Sequence, residues 1–422
     1  MKKKTNYTDI PSHEKLPNIY LFNPTCEYAV ANDQPSWQPN RLLQKMEEDL
    51  GTLPLIFARP NDVVLVKKIP PPEFLSTLQK INITPPRFLQ LNEVIKNTDF
   101  ISQPKNRLLP WGWSPAAHRL VEPLKPSCSE KFQTSPVANW KPEYREIYSK
   151  KFALELLKKL LPELPPEKIL PPQLISTVCY TKPEIEKCIK RWEKIMVKAP
   201  WSSSGRGLQK VTKTPVAEKV WEKLLGIINE QGYAIVEPLL EKVLDLAFEF
   251  ELKNGKVTYL GISRFLTDGK GQYQGNLLNG WPQEINPEIT AFAESLPEMI
   301  IKSLVKLIES SFLAKCYEGI FGVDTLIFRD EKNNLCVNPC LEINVRQNMG
   351  LLSLHLEKHI SPNKTGVFKT FYNPNKSFSE FKKEMENTNP LKLKNSKIES
   401  GFFPVTSGFK DSLFGAYILV KG

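Results

Sequence analysis

Hydrophobic and polar positions in the first hundred residues alternate between short apolar runs and helix-like spacing. The apolar run Asn18–Phe22 ends at an Asn-Pro breaker, which predicts a buried strand. Residues 38–50 and 71–81 space their apolar positions as helices do, and apolar runs at 53–58 and 62–66 predict two more buried strands. Strand, helix and strand in this order predict a small α/β unit with parallel strands and short right-handed connections.

The next region changes character because proline and tryptophan are frequent in residues 102–145. We expect an ordered but irregular surface connection there. Residues 147–161 return to a helical pattern, in which Phe152, Leu154 and the leucines that follow form an apolar face. Pro162 ends this helix.

From residue 176 onward, helical and strand patterns alternate again. Helices are predicted at 182–194, 215–231 and 288–315. Strands are predicted at 195–198, 233–238, 244–252, 256–263, 320–328, 335–343 and 416–420. The Asn254-Gly255 dipeptide between two apolar runs is a strong hairpin signal, so the strands on either side should pair antiparallel. The tail has a polar stretch near 374–398 before the last strand.

Length and composition limit the class of protein. A chain of 422 residues is too long for one compact core and indicates two or three structural units. No apolar run approaches the length that spans a bilayer, and no apolar segment follows the basic N-terminus, so we expect neither a membrane anchor nor a secretory signal. The seven cysteines show no zinc-binding spacing, which favours free thiols in a reducing, cytoplasmic setting.

The net charge of +11 raises the question of an anionic partner. Nucleic acid is one candidate, and an anionic nucleotide with an acidic substrate is another. The lysines are scattered and form no dedicated basic arm, so an ordinary basic surface is the plainer interpretation. We therefore do not expect nucleic acid as the partner.

The first candidate site is a strand that ends in a lysine and runs into a loop of hydroxyls and glycines. After Lys198, the loop contains Ser203, Ser204, Gly205, Arg206 and Gly207. Backbone N–H groups in such a loop can point at phosphate oxygens, and an arginine can add a charge-assisted contact. The loop lacks the P-loop pattern, which disfavours the P-loop NTPases. The alternative is an ordinary turn after a strand.

The second candidate is Tyr233–Leu240, an apolar strand that runs into Glu237. Such a strand can frame an adenine base, because the base takes hydrogen bonds from backbone and carboxylate while apolar side chains hold its faces. The alternative is a surface glutamate at a strand end.

The third candidate combines Asp324 on one predicted strand with Glu342 and Asn344 on the next. The two-residue period of a strand puts Glu342 and Asn344 on one face, and an antiparallel partner would bring Asp324 opposite them. Oxygen ligands of this kind suit a Mg²⁺ ion that also contacts substrate phosphates. A single acidic residue on a strand is normally solvated, but a carboxylate–x–amide set between apolar positions needs a reason.

The order of these three signals resembles the ATP-grasp superfamily. The resemblance covers about 145–350, and the strand-rich start looks like the domain that precedes ATP-grasp modules. It implies an α/β (α+β) fold in which two sheet-containing subdomains clamp ATP, with a small Rossmann-like α/β domain before them. The corresponding division of the chain is 1–140, 141–240 and 241–422, the last with a C-terminal extension.

The resemblance also implies nucleotide contacts. Lys198 would contact the phosphates while residues 202–207 close over them, and Glu237 and the backbone near Leu239 would meet the adenine. A second phosphate-contacting lysine is expected in the preceding helix, where Lys150 and Lys151 both qualify and Lys151 is our choice. The ribose would meet Asp245 or Glu241, of which we choose Asp245.

The metal and the acceptor are implied in the same way. Asp324, Glu342 and Asn344 would hold Mg²⁺, with Mn²⁺ as an alternative. Arg264 and Arg346 lie where family members often bind a substrate carboxylate or the transferred phosphoryl group, and we assign both to catalysis.

The implied reaction is the ATP-dependent activation of a small-molecule or peptide carboxylate as an acyl phosphate, which an amine or a thiol then attacks. Three alternatives stay open: a phosphotransferase on the same fold, a nucleotide-binding protein without turnover, and a basic nucleic-acid binder. Residues 23–32, after the first strand, either shape a substrate pocket or form a plain loop. Trp201 is bulky for a phosphate loop, and the stretch from Asp324 to Glu342 is long for the family.

Overall fold

The computed structural model describes residues 16–202, 207–269, 271–282 and 284–421. The first unit is a four-stranded parallel sheet in the order β3–β2–β1–β4. Its elements are β1 (Ile19–Leu21), α1 (Cys26–Asn32), α2 (Arg41–Asp49), β2 (Val63–Val66), α3 (Pro72–Gln79), β3 (Arg87–Gln90), α4 (Leu91–Val94), α5 (Thr98–Ser102) and β4 (Leu108–Pro110). Strands β1 and β2 are buried along their whole length, as expected for parallel strands that are covered on both faces. The predicted α/β unit is confirmed.

Two predictions for this part of the chain were wrong. Residues 53–58 do not form a strand, because Leu53–Ile56 is a 3₁₀ helix in which Pro54 cannot supply a ladder N–H group. The region 102–145 is more regular than expected. It contains β4 and the helices α6 (Pro115–Val121) and α7 (Glu130–Gln133), with 3₁₀ turns between them, and it packs Trp111 and Trp113 into the core.

The second unit is a four-stranded antiparallel sheet in the order β5–β8–β6–β7, preceded by the helix α8 (Lys150–Leu160). Its elements are β5 (Thr177–Cys179), α9 (Lys182–Trp192), β6 (Ile195–Lys198), β7 (Leu208–Val211), α10 (Glu218–Gln231) and β8 (Ala234–Pro238). Helix α9 begins with a capping box, in which Glu184 accepts from the Thr181 N–H group. We call this unit the small sheet.

The third unit is an antiparallel sheet that has nine strands among the described residues, in the order β13–β12–β9–β10–β11–β14–β17–β16–β15. Its elements are β9 (Glu241–Lys253), β10 (Lys256–Thr267), β11 (Tyr273–Leu278), α11 (Pro287–Ser310), α12 (Leu313–Cys316), β12 (Gly319–Arg329), β13 (Leu335–Asn344), α13 (Met349–Glu357), β14 (Gly366–Tyr372), α14 (Phe378–Thr388), β15 (Lys392–Lys394), β16 (Lys397–Pro404) and β17 (Phe414–Val420). The predicted hairpin is confirmed, since Asn254 and Gly255 both have positive φ between β9 and β10. We call this unit the large sheet.

The polar stretch at 374–398 was not recognised as structured. It contains α14, whose start is a capping box between Ser377 and Glu380, and the edge strand β15. Strands β11 and β14 and the helix α13 were also missed. They matter for the site because α13 packs on the large sheet just after β13.

The predicted class, two sheet-containing subdomains after a small parallel α/β unit, is confirmed. The small sheet lies within 177–238 and the large sheet within 241–420, while α8 packs against β13 of the large sheet. The division points at 140 and 240 stay predictions. Within the described ranges, no helix combines the length and the apolar character needed to cross a membrane.

Candidate active site

A cavity lies where the small sheet meets α8 and β13. Its wall includes Lys198 and Glu237 from the small sheet and Asn338 and Cys340 from the large sheet. The Nζ atom of Lys198, at the end of β6, lies 2.7 Å from Oε1 of Glu237 on the neighbouring strand β8. The Lys198 side chain is only 7% exposed, so this pair is a buried cation beside its counter-ion. Two of the predicted nucleotide contacts thus share one cavity wall.

The acidic set lies on β12 and β13. Asp324 and Glu342 are direct partners across these strands, and the Asn344 amide donates to Asp324 Oδ1 at 2.9 Å. Burial and the nearby Glu342 carboxylate hold the pKa of Asp324 well above its ordinary value. A cation is the group that would relieve this like-charge pair, and two carboxylates with an amide oxygen are the hard oxygen donors that Mg²⁺ takes.

The donor set is incomplete for a cation held by protein alone. Among the described residues, no three His, Cys, Asp or Glu side chains come together in a metal-binding cluster. A Mg²⁺ ion at Asp324 and Glu342 would therefore need further oxygens from water or phosphate, which is how Mg²⁺ is usually bound beside nucleotides.

Lys150, and not Lys151, faces this set. Its Nζ atom lies 2.6 Å from Glu342 Oε1 and donates to the backbone oxygen of Ser202 at 3.0 Å. Lys151 Nζ instead lies 5.7 Å from the centre of the Tyr233 ring. Neighbouring residues on a helix point about 100° apart, so only one of the two can face β13. The structure places Lys150 beside the acidic set and Lys151 beside Tyr233, and the phosphate contact that we assigned to Lys151 stays a prediction.

The two predicted arginines are in different surroundings. Arg346 lies two residues after the end of β13, donates to Asn344 Oδ1 at 3.0 Å, and lies 3.0 Å from Glu27 Oε1 of α1. Arg264 lies 3.4 Å from Glu357 of α13 and stacks over the Trp281 ring. The structure therefore brings Arg346 to the acidic set and pairs Arg264 with α13, and the catalytic assignments of both arginines stay predictions.

Two of the residues predicted to contact the adenine and the ribose already bind other groups of the protein. The Leu239 N–H group donates to the Lys194 carbonyl at 2.9 Å, so that N–H is not a free donor for a base. Asp245 accepts from Thr267 Oγ1 at 2.7 Å and pairs with Lys242, while Glu241 is exposed at the start of β9. The roles of these residues at the adenine and the ribose stay predictions.

Most of the predicted phosphate loop, Ser203, Ser204, Gly205 and Arg206, lies outside the described residues. Its base is described. The Ala199 N–H group donates to the Gly207 carbonyl at 2.9 Å, which closes the loop. A Cβ atom at Gly207 would overlap the Ser202 side chain, so this position requires glycine.

Two acidic residues near the site were missed. Glu27 pairs with Arg346, and its second oxygen, Oε2, is buried and has no hydrogen-bond partner among the described residues. Glu249 on β9 is 1% exposed and accepts from Ser263 at 2.9 Å and from Asn348 at 2.7 Å. Burial raises its pKa to about 7. A glutamate between two phenylalanines in a strand was the available signal for Glu249.

Comparisons with known proteins support the architecture. No protein-family model matches the sequence, and a search of curated proteins found no match. Solved structures do match. The biotin carboxylase–β-γ-ATP complex from Campylobacter jejuni is 12% identical, with a TM-score of 0.52, and the match covers 97% of this chain and 88% of that one.

Two further matches have TM-scores of 0.50. The biotin carboxylase domain of the 2-oxoglutarate carboxylase from Hydrogenobacter thermophilus, solved with MgADP, ADP and bicarbonate, is 12% identical over 96% of this chain and 86% of that one. The ADP complex of an N5-carboxyaminoimidazole ribonucleotide synthetase is 10% identical over 96% and 93%. At such identities the likeness concerns the fold, and these are ATP-grasp proteins. The chain therefore has the ATP-grasp fold.

Proposed function

We propose that this protein is an ATP- and Mg²⁺-dependent ligase that activates a carboxylate as an acyl phosphate for attack by an amine. One observation carries the proposal: two buried lysines line one cavity between the sheets, and one of them, Lys150, pairs with Glu342 of the oxygen-donor set beside it. Lys198 lines this cavity, and Lys150 lines it while its Nζ reaches Glu342. Buried cations beside clustered carboxylates suit the binding of a polyphosphate with its metal ion.

The residues divide between nucleotide and metal. Lys150 and Lys198 would bind phosphate oxygens, Glu237 would face the adenine, and Asp245 would face the ribose. Asp324, Glu342 and Asn344 would hold Mg²⁺, with Mn²⁺ as a possible substitute. When bound, the ion would neutralise charge on the phosphates.

The reaction is group transfer between substrates. A carboxylate oxygen bonds to the γ-phosphorus of ATP, the bond to the β-phosphate oxygen breaks, and ADP leaves. The amine then attacks the acyl carbon, a C–N bond forms, and the bond from the acyl carbon to the phosphate oxygen breaks. Inorganic phosphate leaves with the bonding electrons, and the amine loses a proton to phosphate or water. Arg346, held by Glu27 and Asn344, would stabilise negative charge during the transfer. All seven cysteines are buried, and the scheme uses no cysteine nucleophile.

An ADP-release assay with Mg-ATP, pools of carboxylic acids and hydroxylamine tests the proposal. Hydroxylamine converts an acyl phosphate to a hydroxamate, so a ligase should release ADP and form hydroxamate in equal amounts with one class of acid. ADP release with a stable phosphorylated product and no hydroxamate would indicate the phosphotransferase instead. Binding of Mg-ATP without ADP release across the pools would indicate a nucleotide-binding protein without turnover.

The metal is tested in the same assay. Activity should disappear with EDTA and return with excess Mg²⁺, and a trial with Mn²⁺ tests the substitute. Activity that persists in EDTA would remove Asp324, Glu342 and Asn344 from the proposed mechanism.

A further inference from the structure

Trp201, the bulky residue at the start of the predicted phosphate loop, is buried and held on several sides. Its side chain is 6% exposed, and its ring lies 5.8 Å from the ring of Tyr233. The side-chain amide of Gln231, the last residue of α10, contacts both backbone groups of Trp201. Gln231 accepts from the Trp201 N–H group at 2.9 Å and donates to its carbonyl at 3.3 Å. Trp201 is therefore a fixed point and not a free loop residue.

Arg145 connects this fixed point to the N-terminal unit. Its guanidinium carbon lies 3.9 Å from the centre of the Trp201 ring, and its carbonyl accepts from the indole N–H at 3.0 Å. The same guanidinium donates to the carbonyls of Val30 at 3.0 Å and Ala31 at 2.7 Å. These carbonyls lie in the last turn of α1, where a helix leaves acceptors unsatisfied and favours a positive charge.

On its other side, Trp201 leads directly to the site. The Pro200 carbonyl accepts from the Lys150 N–H group at 2.9 Å. Lys150 Nζ donates to the Ser202 carbonyl at 3.0 Å and to Ser202 Oγ at 3.2 Å, while it also reaches Glu342 at 2.6 Å. The backbone at 200–202 thus fixes both ends of Lys150.

The first turn of α1 is also connected to the acidic set, through Arg346. Glu27, the second residue of α1, lies 3.0 Å from Arg346, and Arg346 donates to the amide oxygen of Asn344 at 3.0 Å. The first turn of the seven-residue helix α1 therefore contacts Arg346, which binds Asn344. Its last turn contacts Arg145, which packs on Trp201 beside the Lys150 side of the site.

We propose that Arg145 and Trp201 are positioning residues that hold Ser202, and through it the Lys150 ammonium, in place against Glu342. They also make this placement depend on the position of α1. Neither residue touches the substrate in this scheme. The inference rests on the proposed function because it assumes that Lys150 binds nucleotide phosphate.

A double-mutant cycle tests the proposal by isothermal titration with Mg-ADP as the probe. Lys150→Met and Trp201→Leu should each weaken binding by about tenfold, the size expected for loss of a charge-assisted contact or of a buried cation–π stack. If Trp201 acts through Lys150, the double variant should bind no more weakly than Lys150→Met alone. If Trp201 instead has a structural role that is independent of Lys150, the two losses of affinity should multiply, and the double variant should bind Mg-ADP about a hundredfold more weakly than the parent. That result would overturn the proposal.

A second tryptophan–arginine stack provides a matched control. Trp192 on α9 lies under Arg191 at 5.1 Å and donates its indole N–H to the Gln173 carbonyl, but it does not line the cavity. Trp192→Leu should leave Mg-ADP binding unchanged. If Trp192→Leu weakens binding as much as Trp201→Leu does, the effect is general loosening and the proposal fails.

Milder variants keep the test decisive where Trp201→Leu does not fold. Arg145→Lys retains the charge but loses the planar stack, and Trp201→Phe retains a ring but loses the indole N–H. Each should weaken Mg-ADP binding in the parent and have no effect in the Lys150→Met background. If the parent protein binds Mg-ADP and these variants bind it equally well, this inference fails and the proposed function is unaffected. A parent that does not bind Mg-ADP overturns the proposed function together with it.

Discussion

The two lysines that line the cavity form ion pairs of almost the same length but in different surroundings. Lys198 and Glu237 come from neighbouring strands of the small sheet and lie 2.7 Å apart. Lys150 and Glu342 lie 2.6 Å apart, yet they join a helix to a strand of the large sheet. Glu342 is also the direct strand partner of Asp324, whose side chain leads through Asn344 and Arg346 to the N-terminal unit.

The Lys198–Glu237 pair is therefore held within one sheet, whereas the Lys150–Glu342 pair is held by contacts from several parts of the chain. The small-sheet pair depends on the register of two adjacent strands, so a change there should affect nucleotide binding and little else. The large-sheet pair depends on contacts from all three units, so a change there should affect binding, catalysis and stability together. Variants of the two pairs should therefore differ both in the size of their effects and in the properties that they change.

The largest effect is expected from Glu342→Gln, which keeps the shape of the side chain but removes one of two facing carboxylates. ADP release should fall by at least about a hundredfold, as for the loss of an electrostatic group at a reacting phosphate. Titration should also show that Mg-ATP binds more weakly. Glu331→Gln, in the exposed turn between β12 and β13, is the control and should behave like the parent. A Glu342→Gln variant that retains parental ADP release would remove this residue from the metal site.

The next effect concerns stability and pH at Glu249, whose neighbours include the charged groups of Arg346 and Asp324. Burial raises its pKa from 4.5 to about 7, so the folded state holds a proton that the unfolded state has released between these values. The contribution of Glu249 to stability is therefore complete below pH 4.5 and is lost as the pH rises through 7, a change of about 3 kcal/mol.

Glu249→Gln should remove this contribution and flatten the pH dependence of the free energy of unfolding between pH 5 and about 8. Denaturant titrations at several pH values measure it, with Glu331→Gln as the control. If Glu249→Gln keeps the parental slope, another group, such as Asp324, is responsible for the pH dependence.

On the small-sheet side, Lys198→Met should weaken Mg-ADP binding by about thirtyfold, since a charge-assisted contact to phosphate contributes about 2 kcal/mol. Lys194→Met removes an exposed lysine just before β6 and should bind as the parent does. Equal binding by Lys198→Met and Lys194→Met would place the phosphates elsewhere.

The same contrast explains what sequence could predict. Lys198 and Glu237 lie at the ends of strands with clear apolar patterns, so local pattern predicted their positions, while their nucleotide roles rest on the order of the three signals and stay predictions. The two-residue period of a strand put Glu342 and Asn344 on one face, and the expected antiparallel pairing that brings Asp324 opposite Glu342 is the one that the structure shows.

Long-range placement was not accessible in the same way. Glu27 and Arg346 are 319 positions apart, and no local pattern reports their contact. Residues 53–58 looked like a strand but begin with a 3₁₀ helix that contains Pro54, because apolar content alone does not separate a buried strand from a buried turn. Trp201 looked unsuited to its loop because its partners, Arg145 and Gln231, come from other elements.

The smallest expected effect distinguishes two adjacent lysines. Both Lys150 and Lys151 fitted the sequence pattern, but only Lys150 contacts Glu342 and Ser202, while Lys151 stacks over Tyr233. An exposed or half-exposed cation–π contact contributes about 0.5–1 kcal/mol to stability and nothing to a phosphate that it does not reach. Lys151→Met should therefore lower the unfolding free energy slightly and change the Mg-ADP dissociation constant by less than about twofold, against about tenfold for Lys150→Met. Measuring both variants by titration at one salt concentration controls for the loss of one positive charge, which the two share. If Lys151→Met loses affinity and Lys150→Met does not, the helix presents its other side to the nucleotide, and the route from α1 through Trp201 to the site must end at a different residue.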